Sequence, residues 1–170
     1  MIFYHFTAGP FLRGISRYGL TVGDVPTDID RWKGRIGVWL TTSQEPDGYG
    51  LAGSSHPKEQ YRLSVRVPDH SPLLVKWTDW ASRHVTTETI SLLHQTADSF
   101  ESWYVYFGVI PPASIVRCVN AFTCTTLANW GEASPPEFDV PGVPPWRRDA
   151  WQRKMLASVL KATRQTKMNA

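Results

Sequence analysis

Cysteine is nearly absent from this 170-residue chain: Cys118 and Cys124 are its two. They stand six positions apart in a stretch that reads as strand, so they would share a face about 20 Å from one another at the extended rise per residue. That is too far for a disulfide. No CxxC pair offers zinc a site, and the histidines at 5, 56, 70, 84 and 94 show neither HxxxH nor HExxH spacing, so no metal site is expected. No run approaches the roughly 18 apolar residues of a membrane span, and the first residues lack the basic-then-apolar order of a secretory signal. The expectation is a soluble, cytoplasmic protein with no membrane partner.

The apolar content is 42%, and the length suits one domain with a sizeable core. The net charge of +3 is unevenly placed. Residues 147–170 carry seven Lys or Arg against one acid, which leaves residues 1–146 acidic on balance. In that basic tail Trp151, Met155, Leu156, Val159 and Leu160 recur at helical spacing behind a pair of prolines. The pattern predicts an amphipathic helix over 147–163, docked by its apolar face with Arg147, Arg148, Arg153 and Lys154 exposed. A solvated basic face is one reading of those cations, and contact with nucleic acid or an acidic protein is the other.

Residues 2–7, Ile-Phe-Tyr-His-Phe-Thr, read as a short strand. Pro10 then opens a short helix with Phe11, Leu12, Ile15 and Tyr18 on one face, and Gly19 is placed to end it with positive φ. A loop containing Gly23, Pro26, Asp28 and Asp30 leads to Gly37-Val38-Trp39-Leu40-Thr41-Thr42-Ser43, an apolar strand with a hydroxyl-rich end. Residues 44–60 show no period and form a long loop. Tyr61, Leu63, Val65 and Val67 alternate with Arg62, Ser64 and Arg66, the signature of a strand with one buried face. Two short helices are expected within 73–97, the second capped by Thr86 or Thr87. Strands follow from Trp103 to Ile110 and from Ile115 to about Phe122, split by Pro111-Pro112. The domain organisation read from this is a core over 1–130, a proline-rich connector over 131–145 and the basic tail over 146–170. The fold class is α+β, a split, mostly antiparallel sheet with short helices and a C-terminal helix.

Three polar groups stand at strand ends: His5, the Thr41-Thr42-Ser43 run, and Glu101 just before the most apolar strand. A histidine among aromatics on a core strand can simply be bonded to backbone. The hydroxyls can bond their own turn, and Glu101 can face solvent. A carboxylate at the mouth of a cleft would instead be set to meet a developing cation.

The order "YHFT", short helix, "GL", "VWLTTS", then "ESWYVYFGVIPPASIV" resembles the ADP-ribosyltransferase superfamily of bacterial or phage type over about residues 2–117. The resemblance implies that superfamily's sheet core and NAD as the substrate that donates ADP-ribose. It also implies a protein or nucleic-acid acceptor, with Glu101 as the catalytic carboxylate that stabilises the oxocarbenium ion. His5, Thr7, Thr41, Ser43 and Tyr49 would line the NAD site, His5 by bonding a ribose. Ser99 stands two residues before Glu101, where arginine-modifying members carry Glu or Gln, which argues against arginine as acceptor. Thr-Thr-Ser replaces the Ser-Thr-Ser of the R-S-E type, while His5 fits the H-Y-E type. The other reading is a non-catalytic binding or inhibitor module of a phage or toxin system, using the same cleft or the basic helix.

Overall fold

A computed structural model describes residues 1–46, 55–95 and 100–168, with side chains to residue 158. Tyr49, Ala97 and Ser99 lie outside the described residues, as does the middle of the long loop. β1 (Ile2–Thr7) leads through a 3-10 turn at Gly9–Phe11 into α1 (Leu12–Tyr18). Gly19 ends that helix at φ 81°, and an added Cβ there would lie 2.0 Å from the Ile110 carbonyl oxygen. Only glycine lets Leu20 and Ile110 exchange their two backbone bonds at 2.9 and 3.0 Å.

The expected loop after Gly23 is instead a hairpin, β2 (Asp24–Asp28) and β3 (Lys33–Ile36). Its strands pair only with each other, in a two-stranded sheet. The chain continues through β4 (Val38–Thr41), β5 (Tyr61–Arg66) and β6 (Leu74–Lys76), the last a strand where helix was expected. Then come α2 (Trp77–His84) and α3 (Thr87–His94), with the Thr86 hydroxyl accepting from the Thr89 amide at the start of α3. β7 (Trp103–Tyr106), β8 (Ile115–Asn120), β9 (Thr125–Leu127) and α4 (Arg148–Met168) complete the order.

Seven strands form one antiparallel sheet in the order β6-β7-β4-β1-β5-β8-β9. β1 matches β5 over all six of its residues but meets β4 at a single register pair, Tyr4 with Thr41. The sheet is therefore split between β1 and β4. Period-2 alternation sorts the strand residues into two cores. Phe3, Leu63, Val65, Val38 and Leu40 pack with Leu12, Leu20 and Ile110 in one. Trp103 and Val105 pack with Trp77, Trp80 and Val25 in the other, with Trp39 against them.

Cys118 and Cys124 are free thiols, but they do not share the extended strand that the spacing argument assumes. The chain turns between them, Cys124 sitting at φ 57° in the turn from β8 to β9 rather than on an extended strand. Burial pushes the Cys118 thiol up to about 11.

The proline-rich connector lies along the domain as a strap. The Val140 amide donates to the Pro10 carbonyl at 2.9 Å, the Thr21 hydroxyl donates to the Val143 carbonyl at 2.6 Å, and Arg13 pairs with Asp139. Of the four tail cations expected to be exposed, Arg147, Arg153 and Lys154 are so and Arg148 is not. Its guanidinium bonds the carbonyls of Thr21 (2.7 Å) and Gly108 (3.3 Å), which fixes the start of α4. No helix among the described residues is long and apolar enough to cross a membrane.

Candidate functional site

A cleft of about 580 Å³ opens at the split between β1 and β4. Its floor carries His5 and Thr7 from β1 and Trp39 and Thr41 from β4, with Trp103 beside them. The strap and α4 wall the far side, through residues 140–143, Trp151 and Met155.

His5 is half-buried, and its Nδ1 lies 2.9 Å from the Trp39 carbonyl oxygen. A carbonyl can only accept, so Nδ1 carries the proton and Nε2 is left as an acceptor. Burial lowers the pKa of the ring, the Trp39 bond opposes that, and the nearby charge of Lys58 lowers it further. The imidazole is thus neutral at pH 7. His5 therefore lies on the cleft and is bonded to backbone at once, with its Nδ1 engaged by the Trp39 carbonyl.

Trp39 is held by its own indole, which donates to the Asp24 carbonyl at 2.7 Å, and it packs 4.8 Å from Trp77 and 5.7 Å from Trp103 between ring centres. Thr41 is buried, donates to the Ser102 hydroxyl at 3.1 Å and accepts from the Ser43 amide at 2.9 Å. Ser43 is absent from the described lining. Its hydroxyl closes a local turn with Glu45, donating to the carbonyl at 3.2 Å and accepting from the amide at 3.1 Å.

Glu101 follows the same pattern of being near but not inside. It precedes Ser102, which anchors Thr41, yet its side chain is 69% exposed and pairs with Lys76 at 3.3 Å outside the described lining. The lining also holds Asp24, Lys58 and Trp151, none of them expected at the site. Asp24 from β2 is half-buried, its Oδ1 enclosed with no hydrogen-bond partner among the described residues, and burial raises its pKa. Lys58 and Trp151 reach the cleft from elements remote in sequence. Nothing in the local pattern around any of the three signals such a role.

No protein-family model matches the chain, and none of the curated proteins does. Among solved structures, the chain is similar to EcPltA at 16% identity and a TM-score of 0.44, over 84% of this chain and 89% of that one.

Proposed function

We propose that this protein binds NAD in the cleft between β1 and β4 and acts as a mono-ADP-ribosyltransferase on a protein or nucleic-acid acceptor. The observation that carries the reading is the convergence of His5, Thr7 and Thr41 with the indoles of Trp39 and Trp103 at the one-pair junction of the sheet. The cleft volume falls in the range of small-molecule sites. A neutral His5 with a free Nε2 accepts a hydrogen bond from a ribose hydroxyl, and the indoles supply flat apolar surface for the nicotinamide ring. In the transfer the bond from the ribose carbon to the nicotinamide nitrogen breaks, with its electron pair leaving on nicotinamide. The acceptor forms the new bond and gives up its proton. Glu101 is the carboxylate proposed to face the positive charge that develops on the sugar.

The exposure of Glu101 and its pairing with Lys76 favour a second reading, a module that binds NAD without consuming it. Calorimetry with NAD and an assay of nicotinamide release separate the two. The wild type is expected to bind NAD, and His5→Ala to bind about tenfold more weakly, the worth of one hydrogen bond in a polar site. Glu101→Gln should bind normally and release nicotinamide about 10² to 10³ times more slowly. Binding without release in the wild type would establish the module, and absence of NAD binding would end both readings.

A further inference from the structure

Among the described residues that line the cleft, Lys58 is the one Lys or Arg and Asp24 the one Asp or Glu. The Lys58 ammonium has no ion-pair partner among the described residues. It is half-buried, beside a lining that is mostly apolar. A cation on an otherwise largely apolar lining attracts an anion that enters the cleft. Its influence already reaches His5, whose protonation it disfavours.

The position of Lys58 is also built. Its amide donates to the His56 carbonyl at 2.8 Å, and the Gln60 amide donates to the Pro57 carbonyl at 3.1 Å, forming a tight turn. One end of that turn is pinned by the His56 ring, set edge-on to Phe11 with ring centres 5.2 Å apart. The other end is pinned by the Gln60 carbonyl, which accepts from the Ala121 amide at 2.8 Å. Phe11 itself lines the cleft. A flexible lysine stem on a fixed turn suits a point-charge contact to an anion.

We propose that Lys58 is the phosphate-binding residue of the cleft, holding a phosphoryl oxygen of a nucleotide ligand while His5 and the indoles take its uncharged parts. This rests on the nucleotide reading above and deepens it. The ligand class that fits one cation beside neutral acceptors and aromatic faces is a nucleoside diphosphate or its ester. Nicotinamide alone, or an unphosphorylated nucleoside, would gain nothing from Lys58.

The test is calorimetric titration of the full chain, wild type, Lys58→Gln and Lys58→Arg, with NAD, ADP-ribose, ADP, inorganic pyrophosphate and nicotinamide, at two salt concentrations. Lys58→Gln should weaken NAD, ADP-ribose and ADP about tenfold to a hundredfold and leave nicotinamide unchanged. Lys58→Arg should retain most of the affinity, and the salt dependence seen in the wild type should shrink in Lys58→Gln. Thermal melts confirm folding, and an unpartnered half-buried lysine predicts little change there. Equal binding of NAD by wild type and Lys58→Gln overturns the assignment and leaves the NAD reading intact. Lys58-dependent binding of ADP or pyrophosphate without binding of NAD keeps the assignment and removes the NAD reading. If the wild type binds none of the five, both fall.

Discussion

Gly14→Ala sets two opposing effects against each other. Gly14 lies buried within α1, and replacing an interior helix glycine by alanine ordinarily stabilises by about 1 kcal/mol through backbone entropy. Here the strap crosses at Gly142, and an added Cβ on Gly14 would meet the Gly142 Cα at 2.6 Å and its nitrogen at 2.8 Å. Ordinary carbon contacts begin near 3.5 Å, so the strap must withdraw by about 1 Å. The strap is tied on both sides of that point, by the Val140 amide to Pro10 and by the Val143 carbonyl to Thr21. Overpacking against such a fixed backbone costs about 1–3 kcal/mol, and stretching two hydrogen bonds adds about 1 kcal/mol each. The clash therefore wins, with a net loss of about 2–4 kcal/mol. For a domain of this length that is a fall in Tm of roughly 4–16 °C. Calorimetry and urea unfolding measure it, with Gly142→Ala as the reciprocal variant expected to behave alike. A Tm that rises, as for a helix glycine facing open space, would refute the close crossing and with it the strap as a wall of the cleft.

Two further outcomes follow from buried polar groups. Because burial raises the Asp24 pKa above its unfolded value near 3.9, the folded state favours the proton, and this group's contribution turns unfavourable as pH rises from the unfolded value through the folded one. Asp24→Asn should thus raise stability at pH 7 by about 1 kcal/mol and lose that advantage below about pH 4, read by melts across pH; a pH-independent difference would contradict it. Arg148→Ala leaves the Thr21 and Gly108 carbonyls without their donor and should cost about 2 kcal/mol in urea unfolding, whereas Arg147→Ala and Arg153→Ala, on exposed residues, should fall within about 0.5 kcal/mol of wild type. Equal effects of all three would deny Arg148 its anchoring role.

The elements legible in the sequence were those whose signal is local. β5 announced itself through buried Tyr61, Leu63 and Val65 alternating with Arg62, Ser64 and Arg66, α3 through its Thr86 cap, and the end of α1 through Gly19. The hairpin of β2 and β3 was hidden because Pro26 and two aspartates mark the first strand as a loop, and it pairs only with its own partner. β6 and β9 are three residues each, too short for a period, and β6 runs directly into α2. The cleft divides in the same way. His5 and Thr41 stand in compact motifs on adjacent strands, while Lys58, Asp24 and Trp151 come together only through tertiary packing. Arg148 is expected to be exposed with its neighbours because nothing in a basic, helical stretch distinguishes the one guanidinium that meets two carbonyls.

Whether Glu101 can serve the chemistry proposed for it turns on magnitudes. The pair with Lys76 spans 3.3 Å between side chains that are 69% and 37% exposed, and exposed pairs of this kind are worth about 0–1 kcal/mol. A carboxylate set against a developing cation in a cleft poor in water contributes about 3 kcal/mol to the transition state. On the proposed reading the pair with Lys76 is the weaker of the two interactions and would yield to a sugar held within reach of Glu101. The backbone beside Glu101 is tied to the end of β4, where the Ser102 hydroxyl accepts from Thr41 and the Ser102 carbonyl from the Thr42 amide. The exposure of Glu101 therefore ranks below the convergence of His5, Thr41 and the indoles as a guide to function. On the proposed reading, what decides between transferase and binding module is whether the sugar is held within reach of that one side chain, which depends on the cleft and not on the surface ion pair.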